Sequence, residues 1–119
     1  MREFQRAAVR LHILHHATTE EVHDAWMTEE LARHGYMISP GTLYPTLHRL
    51  EGDGLLTSRQ QTVEGRMRRV YRATDAGRAA LAEDRRALRE LAREVLAEDS
   101  AGRSVGCGCC GAACKAGVR

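Results

Sequence analysis

ISPGTLYPTLHRLEGDGLL, residues Ile38 to Leu56, is the stretch on which the reading of this 119-residue chain turns. Ser39 is a good N-cap and Pro40 suits the first helical position, where its missing N–H is not needed. Leu43, Leu47 and Leu50 then recur at i, i+4 and i+7, which gives a helix with one apolar face, running to about Asp53 and stopped by Gly52 and Gly54. Pro45 is an anomaly, since an interior proline costs a helix about 3 kcal/mol. Its place in the second turn confines the damage near the start. The outward residues Thr42, Tyr44, Thr46, His48 and Arg49 all carry hydrogen-bonding groups. Ser39 and the amides of Gly41 and Thr42 lie at a helix N-terminus, where a phosphate is favoured.

Downstream, Leu55 to Thr62 and Met67 to Ala73 read as two strands joined at Glu64-Gly65, a hairpin. Between Arg59 and Arg72 it carries five arginines (Arg59, Arg66, Arg68, Arg69, Arg72) against one acid, Glu64. An arginine-rich arm of this kind suits contact with a nucleic-acid backbone or minor groove. Thr74 is the expected cap of a long helix from Asp75. Its apolar stripe is Ala80, Leu81, Ala87, Leu88, Leu91, Ala92, Val95 and Leu96, with Leu81, Leu88 and Val95 seven residues apart. So long a helix cannot bury its stripe on so small a body, and the expectation is pairing with a second copy.

Upstream, Phe4, Ala7, Ala8, Leu11 and Leu14 or His15 predict a helix over 2–16, with Thr18 or Thr19 capping the acidic residues that follow. A second helix over 24–34 has Ala25, Trp26, Leu31 and Ala32 as its apolar positions, and Gly35 stops it. Trp26 reads as a partly buried core residue. The order helix, helix, helix, hairpin, helix is that of a winged helix-turn-helix: mainly α with a small β-hairpin wing, plus a long C-terminal dimerisation helix. The expected division is a DNA-binding domain over 1–74, a dimerisation helix over 75–98 and a Cys-rich tail over 99–119.

Composition sets the outer limits. A chain of this length supports one modest core. Eighteen basic and sixteen acidic residues leave a formal charge of only +2, so the local distribution of charge matters, not its total. No run of about 18 apolar residues is present, so no membrane partner is expected. The N-terminus lacks the apolar segment of a secretion signal, and the expected location is cytoplasmic. No nucleophile–base–acid set, phosphate loop or cofactor fingerprint is visible, which argues against an enzyme.

The segment Ile38–Leu56, and with it RRVYRATDAGRAAL (Arg68 to Leu81), resembles the PadR family of transcriptional regulators, the likeness extending over residues 1 to about 98. The resemblance implies a winged-helix homodimer on double-stranded operator DNA, usually a repressor. It places DNA contacts on Ser39, Thr42, Tyr44, Pro45 and the wing arginines, with Arg66, Arg68 and Arg69 at the arm. His23, Asp24 and Ala25 stand where the family often has His-Gly-Tyr. The single C-terminal helix corresponds to the short subtype.

All four cysteines, Cys107, Cys109, Cys110 and Cys114, fall in the last thirteen residues with spacing C-x-C-C-x3-C among glycines. In a cytosolic chain they are expected as reduced thiols. Dense thiolates select soft ions. Cys109, Cys110 and Cys114 also resemble the adjacent-pair-plus-one arrangement of some arsenite-sensing repressors of the ArsR family. No cofactor is expected as obligatory. The expectation is an inducer ion at these thiolates, As(III) or Sb(III), with Zn(II), Cd(II) and Cu(I) as other candidates. Thiol oxidation or a small organic ligand between dimer helices are the competing modes of control. A protein-interaction or metal-carrier module that ignores DNA is the alternative of another class. His12 and His16 stand one helical turn apart, a spacing that can bind metal but that more often marks packed or surface histidines.

Overall fold

The computed structural model describes residues 2–97. The order is α1 (Glu3–Thr19), β1 (Val22–His23), α2 (Asp24–Arg33), α3 (Pro40–Gly52), β2 (Leu56–Val63), β3 (Arg66–Ala73) and α4 (Asp75–Val95). The three strands form one antiparallel sheet in the order β1-β3-β2. The two-residue β1 was not expected, because Val22-His23 is too short to show a period of two. It pairs with Tyr71 and Val70 and closes the free edge of β3.

The hairpin starts and ends within a residue of expectation. Val63 pairs with Arg66, so Glu64-Gly65 alone makes the turn. Both have positive φ, 53° and 79°. That is the conformation a two-residue hairpin needs to match the right-handed twist of its strands.

The core joins the three N-terminal helices to the sheet: Ile13 and Leu14 of α1, Met27 and Leu31 of α2, Leu43, Leu47 and Leu50 of α3, with Leu56, Tyr71 and Leu81. The α3 face is the one expected. The α1 face is the one expected only at Leu11 and Leu14. Val9, Ile13, Leu14 and Ala17 are buried, whereas Phe4 is 66% exposed. The stripe lies on the 9–13–17 row, and the single aromatic near the N-terminus drew the start of the expected face to the wrong side. α1 also runs one turn further than expected. The Thr18 and Thr19 hydroxyls both donate back to the His15 carbonyl, at 2.7 and 3.1 Å, so neither caps the next segment. The cap of α2 is His23, whose Nδ1 accepts the Trp26 N–H.

α4 is anchored at its first turn. The Thr74 hydroxyl donates to the Gly54 carbonyl at 2.6 Å and accepts the Gly77 N–H at 3.0 Å. The Thr74 N–H donates to the Leu55 carbonyl at 3.1 Å. Gly77 is buried, and a Cβ there would lie 2.1 Å from the Leu55 carbonyl oxygen. The chain divides into two compact units, one ending at Glu83 and the next beginning at Asp84. Leu81 belongs to the first unit and is core, so of the seven-residue repeat only Leu88 and Val95 are exposed. In the second unit Leu88 and Leu91 (46% each), Val95 (54%) and Leu96 (58%) are exposed. The four cysteines lie outside the described residues.

Candidate nucleic-acid interface

Burial of Leu43, Leu47 and Leu50 fixes the rotation of α3 and turns the other side outward. Gly41, Thr42, Tyr44, Pro45, His48 and Arg49 are exposed and Thr46 half-buried. Ser39 is the N-cap residue, but its hydroxyl makes no cap bond. Its carbonyl instead takes the N–H groups of both Thr42 and Leu43, at 2.9 Å each. With Pro40 lacking an N–H, the Gly41 amide remains at the helix start to meet an anion. The Thr42 amide, expected to share that task, is already engaged. Helix geometry continues through Pro45, and its exposed ring crowds no core residue.

The five wing arginines separate into two groups. Arg59 is clamped by Glu21 through two hydrogen bonds, 3.1 and 2.6 Å. Arg69 donates to the Ser58 hydroxyl at 3.1 Å, which donates to Glu51 at 2.8 Å. Arg68 lies 3.7 Å from Asp24. Arg66 and Arg72 are exposed and form no ion pair among the described residues; the Arg49 side chain on α3 is the same.

Asp24, the first residue of α2, is the hub the sequence did not reveal. One carboxylate oxygen faces Arg68 and the other accepts a short hydrogen bond from the Tyr44 hydroxyl. That bond raises the Tyr44 pKa, since ionisation would place two anions side by side; partial burial and the Asp24 charge add to it, and Arg68 opposes it. Tyr44 of α3, Arg68 of β3 and the start of α2 are thereby held together. Twenty residues separate Asp24 from Tyr44, a distance no local pattern spans. A first-turn acid has an ordinary reading as a helix-dipole partner, and that obscured it.

A second constellation lies between α1 and α2. Glu30 is 8% exposed, the only charged side chain among the buried described residues. Its carboxylate meets Arg33 at 3.2 Å, His34 at 3.1 Å and His16 at 3.5 Å. Burial pushes the Glu30 carboxyl up, but the His34 hydrogen bond and the charges of Arg33, His16 and His34 outweigh it and the net shift is down. Burial first, then neighbouring histidines, lower the pKa of His12 and His16, so both favour the neutral imidazole.

Residues 13–83 match the family described as transcriptional regulator PadR-like. A curated relative, the transcriptional regulator Rv3488 of Mycobacterium tuberculosis, is 78% identical over 100 residues, 84% of this chain and 94% of that protein. Among solved structures, a PadR family transcriptional regulator from Eggerthella lenta is 30% identical with a TM-score of 0.67, over 87% of each chain. A PadR-like transcriptional regulator from Bacillus cereus is 25% identical with a TM-score of 0.73, over 79% of this chain and 93% of that one.

Proposed function

Because the chain belongs to the PadR-like family of transcriptional regulators, we propose that it acts as a homodimer, inserting α3 into the major groove of operator DNA and laying the β2–β3 wing on the flanking backbone. The observation that carries this reading is the division of α3. Every leucine of one face is buried, and the opposite face presents Thr42, Tyr44, His48 and Arg49 beside an arginine-bearing hairpin. An α-helix fits the major groove, and the residues near its N-terminus reach base edges. Homodimerisation is supported by the exposed Leu88, Leu91, Val95 and Leu96 on α4. Two heads must stand about 34 Å apart to meet successive major grooves. No helix among the described residues is long and apolar enough to cross a membrane. The relatives are transcriptional regulators, not enzymes.

Fluorescence anisotropy on the chain's own promoter DNA, repeated across salt concentrations, tests the reading. Arg66→Ala and Arg72→Ala are each expected to weaken binding about equally on all sequences and to lower the salt slope by about 1. Arg59→Ala, whose guanidinium is clamped by Glu21, is expected to leave that slope unchanged. Equal slopes for all three variants and the parent would remove the wing from the interface.

For control, the cysteine spacing favours a thiophilic ion at Cys107, Cys109, Cys110 and Cys114, drawn from As(III), Sb(III), Cd(II), Zn(II) and Cu(I), that releases a repressor from its operator. A 10- to 100-fold loss of operator affinity corresponds to about 1.4 to 2.7 kcal/mol of differential binding, within reach of a few metal–thiolate bonds. The parent is expected to lose DNA when arsenite is added, and Cys109→Ser with Cys110→Ser to keep it. A double variant as responsive as the parent would eliminate the tail as the sensor.

A further inference from the structure

The sequence places His12 and His16 one turn apart on α1. The fold adds a third imidazole that no local spacing announces, His34 at the C-cap of α2. One ligating atom from each of the three lies within 4.8 Å of the others. The His12 and His34 rings are 4.6 Å apart, centroid to centroid, and the His12 and His16 rings are stacked at 6.2 Å. Glu30, one turn before His34, extends its carboxylate to His34 and His16 from the buried side.

We propose that His12, His16 and His34 form a binding site for a borderline transition-metal dication of the Zn(II) class, with the Glu30 carboxylate as fourth ligand or as the acceptor that orients the rings. Imidazole nitrogens with a carboxylate are the donors such ions select, while Mg(II) and Ca(II) require oxygen. The geometry is close to what the ion needs. Nitrogens in a tetrahedral zinc site, each about 2.0–2.1 Å from the metal, are about 3.3 Å apart. A spread of up to 4.8 Å therefore closes with side-chain rotations of about an ångström, and His34, half-exposed at a helix end, has room to make them by exchanging its Glu30 hydrogen bond for the ion. The bulk of the site is preformed by the α1–α2 packing, and the exposed edge of His34 gives the ion a way in. A buried glutamate beside these histidines also answers the objection that the rings are mere packing. It supplies negative charge where a dication would sit, and it ties His16 and His34 to one carboxylate.

This site is chemically distinct from the tail thiolates. The ion would tie α1 to the end of α2, directly before the link Tyr36-Met37-Ile38 that enters α3.

The test uses the full chain with Cys107, Cys109, Cys110 and Cys114 all replaced by serine, titrated with Co(II) and then Zn(II). The expected result is one Co(II) per chain, with the visible ligand-field bands of a nitrogen/oxygen site and no thiolate charge-transfer band. Zn(II) should displace it and raise the melting temperature. In the same background His34→Gln and His12→Gln are each expected to lower Zn(II) affinity by about 100-fold or more. At position 34 glutamine can keep the hydrogen bond to Glu30 without replacing the imidazole as ligand, so circular dichroism should show an intact fold. A four-serine chain that takes up neither ion, or a folded His34→Gln variant that binds as tightly as its parent, overturns the site. Both readouts are independent of DNA, so they stand apart from any failure of the operator-binding reading.

Discussion

Gly77→Ala is expected to destabilise the fold by about 3 kcal/mol, the upper end of what overpacking a tight contact costs. Helix propensity alone points the other way, since alanine is favoured over glycine in a helix by about 1 kcal/mol. Space decides the sign. The added methyl would lie 2.1 Å from the Leu55 carbonyl oxygen, a backbone atom that cannot swing aside as a side chain does. That carbonyl already accepts the Thr74 N–H, and the Thr74 hydroxyl bridges Gly54 to Gly77. Moving it pulls on the cap of α4 and on the entry to β2 together. Thermal unfolding followed by circular dichroism should show a drop of about 10–20 °C. A melting temperature equal to or above that of the parent would mean that the approach of α4 to Leu55 is looser than described.

The other large effect is expected from Leu88→Asp combined with Leu91→Asp. Both residues are about half exposed, so placing carboxylates there leaves the buried core of the first unit untouched. If α4 pairs with its copy, two buried aspartates per chain desolvate charge at the centre of the seam, and the dimer should dissociate. Sedimentation velocity then reports a monomer. Operator affinity should fall by about 100-fold or more, because the second half-site contact is no longer an intramolecular event. Near-unchanged helicity would show that the loss comes from assembly and not from unfolding. A dimer of undiminished affinity would show that another surface joins the subunits.

How far the sequence could be read depended on the reach of each interaction. α3 was legible almost to the residue, because a serine at the N-cap position, a first-turn proline and three leucines at helical spacing are all local signals. The hairpin was legible for the same reason. Its turn needs two residues with positive φ, and Glu64-Gly65 supplies a glycine at one of them. The α1 face was right at Leu11 and Leu14 but wrong at its start, because Phe4 is large and apolar yet lies near the exposed start of the helix. β1 has no periodicity of its own and exists through its partner Tyr71. The outward positions of α3 and the arginine content of the hairpin could be named from the sequence. Which arginines are committed could not, since Glu21 to Arg59 and Asp24 to Arg68 are pairings across the fold. His34 escaped notice by the same rule: its relation to His12 and His16 is made by helix packing and not by spacing.

The Asp24 contacts carry a consequence for how the protein leaves the wrong DNA. In the free protein this carboxylate serves as an internal counter-ion, holding the Tyr44 hydroxyl and the Arg68 guanidinium in place before any duplex arrives. A phosphate approaching Arg68 therefore displaces one anion with another, and the net Coulombic gain is smaller than a bare arginine would give. With α3 in the groove as proposed, the side chains would enter it already ordered, while random duplex, which offers charge but no matching base edges, would have less hold on them. On the proposed reading, residence on non-target DNA would then be shortened by a single acid on the protein's own side of the groove.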